Sequence, residues 1–567
     1  MRLKPLPYAT LIEALQDAGS VDGAGLHFLS WDGVDGAVPA IHSITYTQLW
    51  ERARRAAAEL TAQGVRPGSF VLLILPNGLD FVTTFFAAQL AGATPVPLPY
   101  PAPFDDPDAL LWTMERILER TGGASVVLHE PLHTRWADEP RLAAVTRLLP
   151  PQGAGTQPLS DDVAAISPDA LAMVQFTSGS TGHPKGVMLS HANLIANCGA
   201  IGMGVRMSPA EVGISWLPLC HDMGLIGALL SCMCHGMSVA IMSPFEFVME
   251  PARWLWAFSH FKGTIGCAPN FGYALMTRPR RGTIDVDKLD LSRWRIAMCG
   301  AEPVNVDVLE RFADRYRPQG FRNEALFPVY GLAESSLAVT FPPVGTPLHV
   351  DHVDRNALSD ARRAIVSPAG MPWTVALTGL GGALPGHRVR ISDDNGRQRA
   401  EREVGEICVR GPSVTRGYLQ DPEATAAILE DGWLHTGDLG YLADGHLFVC
   451  GRKKDVIIFR GRKYYPQDLE RAAMDVEGVR KGNVVAFGDM DPGGGAEQVT
   501  LVLESRVDDV TRDTFISTVK ARVQECTNVP VAHVVVLAPG ELPKTPSGKV
   551  RRNQCRTLYG PRAARGA

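Results

Sequence analysis

Thr177-Ser178-Gly179-Ser180-Thr181-Gly182-His183-Pro184-Lys185-Gly186 follows directly on a strand-like apolar run at 170–176. Its hydroxyl and glycine residues offer side-chain donors and unhindered backbone N–H groups to phosphate oxygens, and Lys185 adds a point charge. A Ser/Gly stretch alone is usually a flexible connector. A run of ten such residues closing on Pro184-Lys185-Gly186, placed at a strand end, reads as a phosphate-binding loop. It is not a Walker A loop, because Gly186 follows Lys185 and no Gly-Lys-Ser/Thr stands at the required spacing, which disfavours the P-loop NTPases.

Outward from this loop the pattern is α/β. Helical periodicity at 46–64 and 78–91 alternates with β-branched runs at 70–75 and 124–128, the alternation of a mostly parallel sheet layered with helices. Residues 150–168, rich in Gly, Pro, Asp and Ser, read as a surface loop that leads into the strand at 170–176. Further α/β units run to 329, and 348–410 holds short strand patterns among Gly and Pro, the mark of a β-rich subdomain. The last 110 or so residues form a separate α/β pattern: strands at 456–459, 483–487, 498–503 and 532–537, and helices at 466–476 and 511–526. Gly451-Arg452-Lys453-Lys454-Asp455 lies at the junction, where a charged run serves as a solvated turn or as a hinge. The expected division is a large domain over 1–451, a hinge at 452–455 and a small domain over 456–567.

Composition bounds the function. A chain of 567 residues exceeds one hydrophobic core, and 45% apolar with 20% charged residues fits a globular protein. The net charge of −5 provides no global basic field for nucleic acid or an anionic membrane. The apolar stretches at 81–90 and 226–242 are too short or too interrupted to span a bilayer, so no stable membrane insertion is expected. Ten sparse cysteines and an opening Met1-Arg2-Leu3-Lys4-Pro5 without a secretory apolar run point to a reduced, cytoplasmic chain. Cys232-Met233-Cys234-His235 lacks a second Cys/His pair at finger spacing and reads as core.

Five further motifs follow the loop in order. They are Trp216-Leu217-Pro218-Leu219-Cys220-His221-Asp222-Met223-Gly224-Leu225, Cys299-Gly300-Ala301-Glu302-Pro303, Tyr330-Gly331-Leu332-Ala333-Glu334, His435-Thr436-Gly437-Asp438 and Pro543-Lys544-Thr545-Pro546-Ser547-Gly548-Lys549. With the loop and the charged junction, this set resembles the AMP-forming adenylation superfamily of acyl-CoA synthetases, luciferases and peptide-synthetase adenylation domains. The resemblance spans nearly the whole chain and implies ATP and Mg²⁺ as cofactors.

The residue types suit the tasks the resemblance implies. Tyr330, beside a glycine turn, is suited to stack on a purine, and Gly300 and Ala301 let backbone approach its edge; Glu302, Gly331, Leu332 and Ala333 complete that wall. Glu334 is the metal candidate, since a carboxylate beside polyphosphate is costly without an intervening cation, and a helix N-terminal carboxylate is the plainer alternative. Asp438 has the acceptor pair to grip both ribose hydroxyls, with Arg452 completing the grip. His221 falls where the resemblance places the residue nearest the acyl carboxylate, against the alternative of a buried structural histidine. Trp216, Asp222, Met223 and Phe271 are expected beside it in an acyl slot, which core packing explains equally well. Lys549 matches the lysine that bridges carboxylate and α-phosphate, Lys185 shares the charge, and Lys454 matches the hinge position.

Three features resemble the fatty acyl-AMP ligase branch, which loads carrier proteins in place of coenzyme A. One is the His221-Asp222-Met223-Gly224-Leu225 motif. The second is Phe459-Arg460-Gly461-Arg462-Lys463-Tyr464-Tyr465-Pro466-Gln467-Asp468, similar to the branch's Arg-Gly-Arg-x-x-Tyr-Pro-Gln-Asp stretch. The third is the segment at 345–379, which occupies the place of the branch's insertion. The resemblance implies a medium- or long-chain fatty acid, activated as acyl-adenylate and passed to an acyl carrier protein or a polyketide or peptide synthase. The alternatives are a fatty acid–CoA ligase and a catalytically inactive nucleotide- or acyl-binding regulator. Against the last stand the charges of Lys185, Glu334, Asp438, Arg452 and Lys549, all retained.

Overall fold

The computed structural model describes residues 6–34, 36–101, 107–153, 157–159, 166–177, 184–278, 282–371, 373–459, 462–490, 497–508, 510–544 and 550–560. The chain is α/β and forms two compact units. One comprises Met1–Leu348, Ala383–Arg388 and Val409–Leu434; the other comprises His349–Gly382, Val389–Cys408 and His435–Ala567.

The first unit is built on a seven-stranded sheet. Its strand order is Leu326–Pro328, Ile296–Cys299, Ile265–Ala268, Val212–Ser215, Ser238–Met242, Gly25–Ser30, Ala40–Thr45. Every neighbouring pair is parallel except the last. The pattern of alternation is legible from 45 onward, yet Gly25–Ser30 joins this sheet through register with Val239 and its neighbours, a pairing that no local signal marks. A second sheet of four parallel strands, Thr94–Pro97, Phe70–Ile74, Ser125–Leu128 and Arg147–Leu148, carries the predicted alternation with helices Tyr46–Ala62 and Leu79–Leu90. Helix Tyr46–Ala62 starts on a capping box made by Thr45 and Gln48.

Aromatic rings fill one face of the large sheet. Phe258 stacks on Trp294 at 3.6 Å, Trp254 meets Trp294 edge-on at 5.0 Å, and Phe312 and Phe321 close the cluster. The other face packs a second core that holds Leu225, Ile226, Leu229, Leu230 and the fully buried Cys198, Cys232 and Cys234. No helix among the described residues is long and apolar enough to cross a membrane.

Within the expected β-rich stretch at 348–410, Val350–Asp354 pairs with Thr374–Thr378 inside the predicted insertion; the antiparallel hairpin of Trp433–Ala443 and His446–Arg452 lies beyond that stretch. The C-terminal part has a three-stranded sheet, Val479–Met490, Glu497–Ser505 and Val531–Leu537, covered by helices Pro466–Met474 and Arg512–Thr527. These elements match the predicted strands and helices to within a few residues at each end.

His191, at the start of the helix that follows strand Lys185–Ser190, is 1% exposed, and its Nδ1 accepts the N–H of Leu11 at 3.2 Å. Burial pushes its imidazolium down to about 4. The unfolded chain takes up this proton below about pH 6.5 and the folded chain does not, so stability falls as pH drops from about 6.5 toward 4 and is unaffected above that window. The cumulative loss is about 3 kcal/mol. His191→Asn keeps an acceptor for Leu11 and removes the titration; its urea midpoint should decline less steeply over this window than that of the wild type, and parallel declines would contradict the assignment.

Candidate active site

Thr177 and Lys185 are paired partners at the end of the hairpin formed by Leu171–Thr177 and Lys185–Ser190, so the two ends of the predicted phosphate loop lie side by side. Ser178, Gly179, Ser180, Thr181 and Gly182 lie outside the described residues. Gly186 is required by packing: a Cβ there would stand 2.9 Å from Phe176 Cζ and from Val174 Cγ1. The chain at 415–419 runs along the Lys185–Ser190 strand through Leu419 N–H to Gly186 O at 2.8 Å and Met188 N–H to Gly417 O at 3.0 Å. This pairing sets Tyr418 under Lys185, whose Nζ is 4.9 Å from the ring centroid.

Tyr418 does a second task. Its hydroxyl donates to Glu334 Oε1 at 2.7 Å, and Thr415 N–H donates to the Glu334 carbonyl at 2.8 Å. Lys185 over its face and Glu334 at its hydroxyl, separated by some 150 residues of sequence, are thus both brought to one phenol ring. Sequence reading missed Tyr418, since an uncharged aromatic after Arg416-Gly417 carries no chemical signal until its partners are known.

Glu334 fits a divalent cation of one particular kind. Among the described residues no group of three His, Cys, Asp or Glu side chains could enclose a metal. Glu334 is half-buried, with Oε1 taken by Tyr418 and Oε2 without a hydrogen bond among the described residues. One hard oxygen from the protein, with phosphate and water supplying the rest, is how Mg²⁺ is commonly held.

The base-binding candidates stand at the C-terminal ends of adjacent parallel strands, where ligands of open α/β sheets bind. Gly300 follows strand Ile296–Cys299, and a Cβ there would lie 2.7 Å from Val329 Cγ2. Ala301 holds φ +69°, a left-handed backbone that costs a residue with a Cβ. Glu302 Oε1 accepts Phe271 N–H at 2.9 Å, tying this turn to the acyl-side helix. Tyr330 is buried and Leu332 N–H donates to Leu337 O at 2.8 Å; Gly331 is obligatory, because its Cβ would lie 1.8 Å from Leu337 O. Ala333 is buried against the core behind Glu334.

On the acyl side, His221 Nδ1 lies 2.5 Å from Asp222 Oδ1, which also accepts Met223 N–H at 2.7 Å. Met223 N–H also donates to His221 Nδ1 at 3.4 Å. These contacts hold Nδ1 of the ring against the Asp222–Met223 turn. A π-type helix, Met223–Leu230, follows immediately, and π turns cluster at functional sites. Gly224 permits it, because a Cβ there would be 2.2 Å from Pro218 O. Asn77 pins the preceding strand exit through Leu217 O at 2.9 Å and Leu219 N–H at 2.8 Å. Trp216 stacks on Phe247 at 3.9 Å and meets Phe271 edge-on at 5.8 Å, and Met223 joins the same apolar cluster. Beside it the Cys267 thiol is pushed up to about 12 by burial and by the charge of Asp222.

In the second unit, Asp438 and Arg452 are register partners on the hairpin, with Arg452 Nε 3.2 Å from Asp438 Oδ1. Asp438 is buried and Arg452 about half exposed. Lys454 is exposed in the short helical turn Lys453–Asp455. Lys549 lies outside the described residues.

The hairpin end at Thr177 and Lys185, the strand-end turns at 300–302 and 330–334 and the His221 turn are where the candidate residues of an adenylate-forming site stand. The AMP-binding enzyme family matches residues 34–419. A Caulobacter vibrioides protein provisionally named an acyl-CoA synthetase is 33% identical over 97% of this chain and 95% of its own length. The medium-chain fatty acid:acyl-carrier-protein ligase JamA of Moorena producens is 33% identical over 97% and 95%. A solved structure from work on fatty acyl-adenylate ligases of E. coli and L. pneumophila shares 33% identity with a TM-score of 0.90 and covers 100% of both chains. The chain belongs to the AMP-binding enzyme family, in its fatty acyl-AMP ligase branch.

Tyr418→Phe keeps the ring beneath Lys185 and removes the hydrogen bond to Glu334. ATP-dependent pyrophosphate release should fall about tenfold, the scale of one hydrogen bond to a charged group, with the melting temperature unchanged. Tyr418→Ala should fall further. Equal rates for all three proteins would show that the ring organises nothing.

Proposed function

We propose that this protein activates a medium- or long-chain fatty acid with ATP and Mg²⁺ and passes the acyl group to the phosphopantetheine thiol of an acyl carrier protein or synthase carrier domain. JamA bears a name with that substrate class and that partner. The observation that carries the reading lies in the second unit. The insertion strands share one core with the segment after the junction: Val353, Leu358, Ala364 and Val375 pack with Tyr441, Phe448 and Tyr465. Arg355 reaches Asp468 at 3.9 Å and the Cys526 carbonyl, Arg471 donates to Ala376 O at 3.3 Å, and Arg462 lies 3.6 Å from Asp360. Asp468 is buried, and desolvation raises its carboxyl above the usual range against the pull of Arg355 and Arg471. An insertion bonded to the small domain through buried charge resists the rearrangement that a CoA ligase needs.

In this reading residues 1–451 bind both substrates and 456–567 form a lid that turns about 452–455 at Lys454. A carboxylate oxygen of the fatty acid attacks the α-phosphorus of ATP, the bond from that phosphorus to the bridging oxygen breaks, and pyrophosphate leaves with the electron pair. His221, oriented by Asp222, positions the carboxylate, while Trp216, Met223 and Phe271 line the chain's entry. Tyr330 stacks on the adenine between Gly300-Ala301-Glu302 and Gly331-Leu332-Ala333; Asp438 and Arg452 hold the ribose. The loop from Thr177 to Gly182 cradles phosphate, and Lys185 and Lys549 spread the developing charge. Glu334 would hold Mg²⁺, which would supply charge neutralisation of the polyphosphate. Withdrawal of Lys549 then admits the carrier thiol, whose sulfur bonds to the acyl carbon as its proton is lost and AMP leaves. ATP and a reduced carrier thiol place this work in the cytoplasm.

The test is pyrophosphate release with dodecanoic acid. Lys549→Ala should lower the rate by about 10²-fold or more while ATP affinity stays within about threefold, the signature of a group used in the transition state. Transfer from preformed acyl-AMP should survive the substitution. Unchanged pyrophosphate release would remove Lys549 from the chemistry, and a wild type that binds ATP and turns over no acid would leave only a regulator.

A further inference from the structure

Strand Gly405–Arg410 carries Glu406, an acid to which the mechanism above gives no task. Its side chain is 14% exposed and makes contacts at both oxygens. Oε1 accepts the N–H of Gly437 at 3.2 Å, in a turn where Gly437 holds φ +72° immediately before Asp438. Oε2 lies 3.3 Å from Lys453 Nζ and 3.6 Å from His435 Nδ1. Thr436 stitches the same turn to the same strand, donating to Ile407 O at 2.8 Å and accepting Asp438 N–H at 3.1 Å. Lys453 also reaches Asp394 at 3.3 Å, and Arg362 of the insertion holds the other oxygen of Asp394 at 3.1 Å. The turn that presents Asp438 and a residue of the junction segment therefore share one largely buried carboxylate.

We propose that Glu406 is a positioning residue for the ribose contact: Oε1 fixes the Gly437 turn that presents Asp438, and Oε2 ties that turn to Lys453 beside Lys454. The proposal rests on the reading of Asp438 as the ribose-gripping residue. A left-handed turn has few ways to hold its exposed N–H groups in place, and a charged acceptor is the strongest of them. Lys453, half exposed, gains little from a solvated pair with Asp394 and more from the buried oxygen of Glu406. The ribose turn and the start of the junction then keep one arrangement together.

The test compares ATP with 2′,3′-dideoxy-ATP, reading the ratio of their kcat/KM values in pyrophosphate release. Glu406→Ala should lower that ratio roughly tenfold, the scale of a charged hydrogen bond, and leave KM for the fatty acid unchanged. Glu406→Gln retains an acceptor for Gly437 and loses the charge facing Lys453. Lys453→Met should lower the ratio about threefold in the wild-type background and have no further effect beside Glu406→Gln. This double-mutant comparison carries the test if the Ala variant folds poorly. If Asp438→Asn lowers the ratio and neither Glu406 variant nor Lys453→Met does, the proposal is overturned and the ribose reading stands. If Asp438→Asn leaves the ratio unchanged, the ribose reading falls and the proposal with it.

Discussion

The phenol of Tyr418 is the contact on which the catalytic half of the large unit depends. It sits under the Lys185 ammonium and donates to the Glu334 carboxylate, so a cation and an anion from distant parts of the sequence meet at one neutral ring. The backbone pairing of 415–419 with Lys185–Ser190 makes that meeting a property of the fold.

The same logic of fixing functional groups through backbone appears around the strand ends. Ala301 in left-handed backbone, Gly331 against the Leu337 carbonyl and Gly224 against the Pro218 carbonyl each occupy a place where an ordinary residue strains or collides. Ser336, two residues beyond Glu334, adds a further positive φ of +60° at the same turn. In the second unit, the insertion is bound to the C-terminal part through a shared apolar core and the partly compensated Asp468. Removing Arg355 would leave Asp468 buried with only Arg471 to compensate its charge, which is why such a group fixes an arrangement more firmly than it stabilises one.

Much of this was legible in the sequence, and the limits have physical causes. The hairpin tip, the strand-end motifs and the α/β alternation depend on local residue types, so 177–186, 299–303 and 330–334 could be located without coordinates. The chemical family followed from their order. What stayed hidden depends on long-range pairing. Strand Gly25–Ser30 enters the central sheet beside Ser238–Met242, over two hundred residues away. Tyr418 and Glu406 acquire meaning only when strand pairing sets them beside Glu334 and the Gly437 turn. The π-type helix at Met223–Leu230 also escaped notice, since its apolar run reads equally well as an ordinary buried helix.

The central claim is that the fatty acyl-adenylate is the product released to a carrier protein and that coenzyme A is a poor acceptor. The most direct measurement resolves acyl-AMP from acyl-CoA after incubation of the full-length protein with ATP, Mg²⁺ and dodecanoic acid, with and without coenzyme A. Acyl-AMP accumulating equally under both conditions is the predicted result. Conversion to acyl-CoA when coenzyme A is present would contradict it and would show that the packed insertion does not block the arrangement that coenzyme A needs.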